Sequence, residues 1–155
     1  MVHVTRSIEI EGTPDDIWAV ISRFAHTNEY SPLVVRVEML STNDTGVGAK
    51  RKNYFENGSS ITEEAVAWVH NKSQTIKGSD FGSLPLKDLT AQLDVRASGA
   101  NTATLIWALD FKPKFGPIGW LMGQLMMKSA FGKVVQGNLD AVSARVAKNR
   151  GQATA

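Results

Sequence analysis

Residues 118–148 contain no proline, and apolar side chains recur through them at helical spacing. Leu121, Leu125, Phe131, Val135, Leu139, Val142 and Val146 fall on one arc. At 1.5 Å per residue such a helix reaches about 45 Å, enough to cross a whole small sheet. The break at Phe115-Gly116-Pro117 sets it off from what precedes it. A helix this long with one apolar arc needs one broad partner surface, which the rest of the chain must supply.

The rest of the chain reads as strands. Residues 2–11 alternate, with Val4, Arg6, Ile8 and Ile10 on one face and Thr5, Ser7, Glu9 and Glu11 on the other. Thr13-Pro14-Asp15-Asp16 is a helix start, with Thr13 as N-cap and Pro14 in the first helical position. The stripe Ile17, Trp18, Val20, Ile21 and Phe24 predicts about three helical turns, followed by a connector through Pro32. Strand signals then run over 34–40, 49–55, 61–69, 74–78, 89–97 and 102–111, separated by turns such as Asn57-Gly58. These strands predict an α+β fold, an antiparallel meander of six to seven strands covered on one side by the long helix. Residues 1–148 read as one domain, and the small polar stretch 149–155 as a flexible tail.

Several function classes drop out on composition. A chain of 155 residues with 43% apolar and 21% charged residues is ordinary globular material. A net charge of +2, scattered along the chain, does not fit a nucleic-acid binder. No apolar run is long enough to span a bilayer, so integral membrane association is not expected. The absence of cysteine excludes disulfides, thiolate metal sites and a cysteine nucleophile. The N-terminus lacks the pattern of a signal peptide, and a cytoplasmic location is expected. His3, His26 and His70 share no metal-ligand spacing, and no nucleotide, P-loop or nucleophile-elbow motif occurs, so no metal and no cofactor are expected.

Alternation also predicts which polar residues turn inward. In 61–69 the odd positions are mostly apolar, which places Glu63 inside with Ile61, Ala65, Ala67 and Val69. In 49–55, Ala49, Arg51, Asn53 and Phe55 share a face opposite Lys50, Lys52 and Tyr54, so Arg51 also points inward. The two strands form one hairpin that brings Arg51 and Glu63 together across the ladder. Three roles fit such a pair: a buried ion pair that fixes register, a polar anchor for a ligand, or an acid/base couple. Trp107 and Phe111 share a face with Ala103, Leu105 and Leu109, either as core or as the aromatic wall of a cavity. Small inner residues such as Ala65, Ala67, Ala91 and Ala97 favour a hollow. Phe115, Trp120, Leu121, Met122, Met126 and Met127 make an adaptable apolar helix end, read as core, as a gate, or as a surface for a partner or a membrane. His26 and Tyr30, after the first helix, are the remaining candidates for proton transfer.

Four stretches carry a family resemblance. The opening Ile10-Glu11-Gly12-Thr13-Pro14-Asp15-Asp16-Ile17-Trp18 resembles that of the START and birch-pollen-allergen-like superfamily. Gly48-Ala49-Lys50-Arg51, Ile61-Thr62-Glu63 and Trp107-Ala108-Leu109-Asp110-Phe111 resemble the pattern of its polyketide cyclase/dehydrase and lipid-transport branch. Gly12 departs from the usual alanine. The resemblance covers roughly residues 2–148 and implies the helix-grip fold, in which a curved sheet wraps one long C-terminal helix, with short helices after the first strand. It also implies a cavity between sheet and helix for lipids, polyketides or aromatic compounds. The function expected is binding or transport of a hydrophobic small molecule, through Arg51, Phe55, Glu63, Trp107, Phe111, Trp120 and Leu125. No catalytic residue is assigned. The alternative is a cyclase or dehydratase in which Arg51 polarises a carbonyl and Glu63 or His26 moves protons. Beyond the small molecule, the expected partners are transient membrane contact at most, in a monomer or weak homodimer.

Overall fold

A computed structural model describes residues 1–114 and 116–154, apart from the side chains at 119, 120, 122, 123, 125, 153 and 154. Seven strands form one antiparallel sheet: β1 (Val2–Glu11), β2 (Val34–Met39), β3 (Lys50–Phe55), β4 (Ser60–Val69), β5 (Ser73–Ser79), β6 (Leu86–Ala97) and β7 (Thr102–Pro113). Their spatial order is β1-β7-β6-β5-β4-β3-β2, a meander in which the first strand joins the last. Helix α1 (Pro14–Ile21) and a 3₁₀ helix (Phe24–Glu29) follow β1. The chain ends in α2 (Gly116–Met122), a π-helical turn (Gly123–Met127) and α3 (Lys128–Thr154). The curved sheet with its long C-terminal helix is the α+β helix-grip fold expected from the sequence. Among the described residues no helix is long and apolar enough to cross a membrane.

Local chemistry sets the helix boundaries. The Thr13 hydroxyl accepts from the Asp16 amide while the Asp16 carboxylate accepts from the Thr13 amide at 2.8 Å, a complete capping box. Helix α1 is shorter than its apolar stripe predicted: it stops at Ile21, and Phe24 belongs to the 3₁₀ helix. The long C-terminal helix is likewise not uniform, because the π-helical turn interrupts its ladder of hydrogen bonds. Nor does it stop at residue 148. Residues 149–154, read as a flexible tail, continue α3. Arg150 there meets the β1–α1 turn, its Nη1 3.2 Å from where a Cβ on Gly12 would stand. Gly12 has φ +148, a conformation that side chains disfavour, so both its backbone and its surroundings suit glycine.

On α3, Val135, Leu139, Val142 and Val146 are all at most 2% exposed and pack chiefly against β1 and α1. Arg6 lies on the inner face of β1, and its guanidinium crosses α3 at Gly132, 2.7 Å from where a Cβ would stand. An arginine on the apolar face of β1 thus reaches water over a helix position that has no side chain.

One face assignment is corrected. A bulge between Ala65 and Ala67 shifts the register of β4 against β5 and reverses the faces beyond it. Ala67 and Val69 therefore point to solvent, not inward. Trp68 turns in and meets Trp18 edge-to-face at 5.4 Å and Phe24 at 6.4 Å. Ala97 is exposed as well. Trp68→Ala is expected to lower stability by roughly 2–4 kcal/mol, less than a fully buried aromatic because Trp68 is half-buried. Val69→Ala should stay within about 0.5 kcal/mol. Urea denaturation of the two variants checks this, and the opposite ranking would restore the unbulged register.

Candidate ligand-binding site

Register lays the inner face of the sheet out in rows. Arg51 pairs with Glu63, Glu63 with Gly78, Gly78 with Leu89 and Leu89 with Phe111. Beyond the bulge, Trp68, Gln74, Leu93 and Trp107 form a second row. Between these rows and α3 lies a chamber of about 110 Å³. Its wall is mainly apolar: Ile61, Ile76, Leu89, Ala91, Leu93, Trp107 and Leu109 from the sheet, Phe131 and Val135 from α3. Its polar end comprises Tyr30, Arg51, Asn53, Glu63, Gln74 and Asn138.

An outer apolar cleft of about 480 Å³ is lined by Leu33, Phe55, Glu56, Asn57, Ser59, Leu84, Phe131 and Val134. Phe55, Leu84, Phe131 and Val134 line both spaces, so these four side chains form the partition between chamber and cleft.

At the polar end, one carboxylate oxygen gathers three donors. Glu63 Oε2 accepts from Arg51 Nε at 2.8 Å, from Arg51 Nη2 at 2.6 Å and from Asn53 Nδ2 at 2.9 Å. Arg51 also donates from Nη1 to the Phe24 carbonyl at 2.8 Å, and its guanidinium lies 3.8 Å over the Phe24 ring. Burial alone pulls the Arg51 guanidinium down; the Glu63 carboxylate and then Tyr30 outweigh this and hold it above its ordinary value. Arg51 is therefore a fixed charge across the working pH range and not a proton carrier.

The same cluster ties the sheet to the segment after α1. The Ile21 carbonyl, at the end of α1, accepts from Gln74 Nε2 at 3.2 Å and from the Tyr30 hydroxyl at 3.3 Å. Such end carbonyls have no partner within the helix, so Gln74 of β5 and Tyr30, just after the 3₁₀ helix, supply them. Ser31 donates to Asn138 Oδ1 of α3 at 3.1 Å. Asn53 Oδ1 and Gln74 Oε1 are buried and accept no hydrogen bond among the described residues.

The residues expected at the site divide into three groups. Arg51, Phe55, Glu63 and Trp107 line the chamber, as does Tyr30. Phe111 does not: it is fully buried against Phe131, with ring centres 4.6 Å apart. It ends the row that holds Arg51, Glu63 and Leu89, and there Phe131 of α3 packs on it. His26 is exposed and 3.9 Å from Glu29, away from the chamber, which removes it as a proton carrier there. The side chains of Trp120 and Leu125, and Phe115 altogether, lie outside the described residues. Gln74, Asn138, Leu84 and Phe131 were missed as lining residues, and Asn53 was placed inward but given no role. The signal for Gln74 was present, since it stands two residues before Ile76 on the apolar face of β5. Among the described residues no three His, Asp or Glu side chains are arranged to hold a metal ion.

Comparison with solved structures shows the fold is shared. The chain is similar to a START superfamily protein of Mycobacterium smegmatis at 14% identity and TM-score 0.77, over 96% of this chain and 99% of that one. It is similar to the Zhui aromatase/cyclase of Streptomyces sp. R1128 at 12% identity and TM-score 0.80, over 94% and 93%. A norcoclaurine synthase of Thalictrum flavum, a point mutant bound to a transition-state analogue, aligns at 16% identity and TM-score 0.74, over 96% and 95%. No curated protein sequence matches the chain significantly. The family described as polyketide cyclase/dehydrase and lipid transport matches residues 1–147, nearly the whole chain. On that match, and with the helix-grip architecture in place, the chain belongs to the polyketide cyclase/dehydrase and lipid transport family.

Proposed function

We propose that the chain binds a hydrophobic small molecule of lipid, polyketide or aromatic type, with one end in the chamber and the rest in the outer cleft. The observation that carries this reading is that the two spaces adjoin at Phe55, Leu84, Phe131 and Val134, with the polar cluster of the chamber beyond its apolar wall. An apolar wall with a few convergent polar groups is the general form of a small-molecule site. At about 110 Å³ the chamber is smaller than the ~150 Å³ engineered cavity that admits benzene, so as it stands it takes at most one small ring or a short chain. Larger ligands must extend past the partition.

Two observations weigh against the cyclase or dehydratase alternative. Arg51 commits three of its N–H groups to Glu63 and the Phe24 carbonyl, which leaves it poorly placed to polarise a substrate carbonyl. The exposed His26 cannot act as base in the chamber. Native mass spectrometry of the protein purified from its own cells tests the reading directly. The expected spectrum shows one added apolar mass per chain, released by organic solvent. A spectrum of bare protein, together with no uptake of any added aromatic or lipid, would overturn it.

A further inference from the structure

We propose that the polar end of the chamber selects a ligand head that donates hydrogen bonds, an alcohol or phenol hydroxyl, over a carbonyl or carboxylate head. This rests on the small-molecule reading above and narrows it.

The orientation of two amides decides the matter. Asn53 and Gln74 are 2% and 1% exposed, and both line the chamber. An amide can be turned end for end unless its partners fix it. Here they do. The Asn53 amide meets the carboxylate Oε2 of Glu63 and the Gln74 amide meets the Ile21 carbonyl, groups that only accept. Each amide must therefore present its NH₂ to that partner, and its oxygen is the atom left over. Those oxygens, Asn53 Oδ1 and Gln74 Oε1, are the buried acceptors without a partner among the described residues. Two acceptors cannot satisfy one another, and a buried polar group left unpaired is costly.

Every donor group at this end already has at least one partner, whereas neither amide oxygen has any among the described residues. Arg51 faces Glu63 and the Phe24 carbonyl, and Tyr30 donates to the Ile21 carbonyl. A carboxylate entering this end would face the Glu63 carboxylate and two amide oxygens. A carbonyl would bring a third unpartnered acceptor. A hydroxyl brings the missing proton. Asn138 does not alter this, because its partner Ser31 is a hydroxyl that donates or accepts, so its amide turns to suit either ligand.

Four probes with one apolar body and different heads separate the possibilities: 4-butylphenol, 4-butylanisole, 4-butylbenzoate and butylbenzene, titrated calorimetrically into the purified protein. The phenol is expected to bind about tenfold tighter than the anisole or the plain hydrocarbon, the size of one net hydrogen bond, with the benzoate weakest. The phenol's advantage should shrink in at least one of Asn53→Leu and Gln74→Met and vanish in the double variant. Gln74→Met spares the bonds to Glu63, and the phenol–anisole comparison on the unaltered protein needs no variant. Equal binding of phenol and anisole would overturn the inference while leaving the small-molecule reading intact, because the body alone then provides the affinity. Tightest binding of the benzoate would also overturn it and return the anchor to Arg51. Binding of none of the four would overturn both.

Discussion

Glu63→Leu should cost about 3–5 kcal/mol of folding stability, the usual loss when one member of a buried ion pair is removed. It leaves the Arg51 guanidinium, 3% exposed and held over the Phe24 ring, with no counter-charge and no route to neutrality. Arg51→Met should cost somewhat less. The Glu63 side chain is 14% exposed, so water reaches the orphaned carboxylate in part, and Asn53 still donates to it. Arg51→Met also removes one of two bonds to the Phe24 carbonyl, which keeps the Thr27 hydroxyl at 3.1 Å. The double change restores an apolar match and should recover most of the loss, because replacing a buried pair by apolar side chains is often close to neutral. Chemical denaturation of the four proteins gives the cycle. Losses of only about 0–1 kcal/mol for both single variants, as for an exposed pair, would mean that the chamber is wet enough to solvate either charge.

A still larger effect is expected from Leu139→Asp. Leu139 is 0% exposed at the middle of α3's apolar stripe. Removing the leucine side chain alone costs about 2–5 kcal/mol, and an unpaired carboxylate in its place adds several more. Against a typical total of about 5–15 kcal/mol, the sum removes most or all of the stability. The variant is expected to lose its cooperative melting transition and its dispersed amide resonances. A soluble variant that melts as the parent does would contradict the packing of α3 on the sheet.

Much of this arrangement was legible before the structure, for reasons that can be traced to particular residues. In the Lys50–Phe55 and Ser60–Val69 strands, up to Ala65, parity placed Arg51 and Glu63 on the inner face and the shared hairpin brought them near each other; they are register partners. The arc through Val135, Leu139, Val142 and Val146 gave the buried face of the last helix. Parity failed where an extra residue entered: the Ala65–Ala67 bulge exchanged Trp68 for Ala67 and Val69, and nothing in those three side chains announces it. The π-helical turn is equally silent, since Gln124, Leu125, Met126 and Met127 are good helix formers that suit either ladder and Gly123 favours neither. Phe111 shows another limit. It shares a face with Trp107, but whether a side chain on that face borders the chamber depends on what packs over it, and Phe131 of α3 packs on Phe111. Gln74 and Asn53 were visible as polar residues on apolar faces. Their unpaired oxygens were not, because those follow from what their NH₂ groups meet in three dimensions.

The central claim, that the chamber and cleft form one ligand site, is tested most directly by fluorescence titration of the neutral dye N-phenyl-1-naphthylamine into the native protein and into Ala91→Leu. Ala91 lines the chamber and not the outer cleft, so the larger side chain fills the inner space alone. The native protein is expected to bind one dye per chain, and the variant to fold cooperatively yet bind about tenfold more weakly or worse, as the cost of overpacking implies. Unchanged binding in a folded Ala91→Leu variant, or no saturable binding to the native chain, would contradict it.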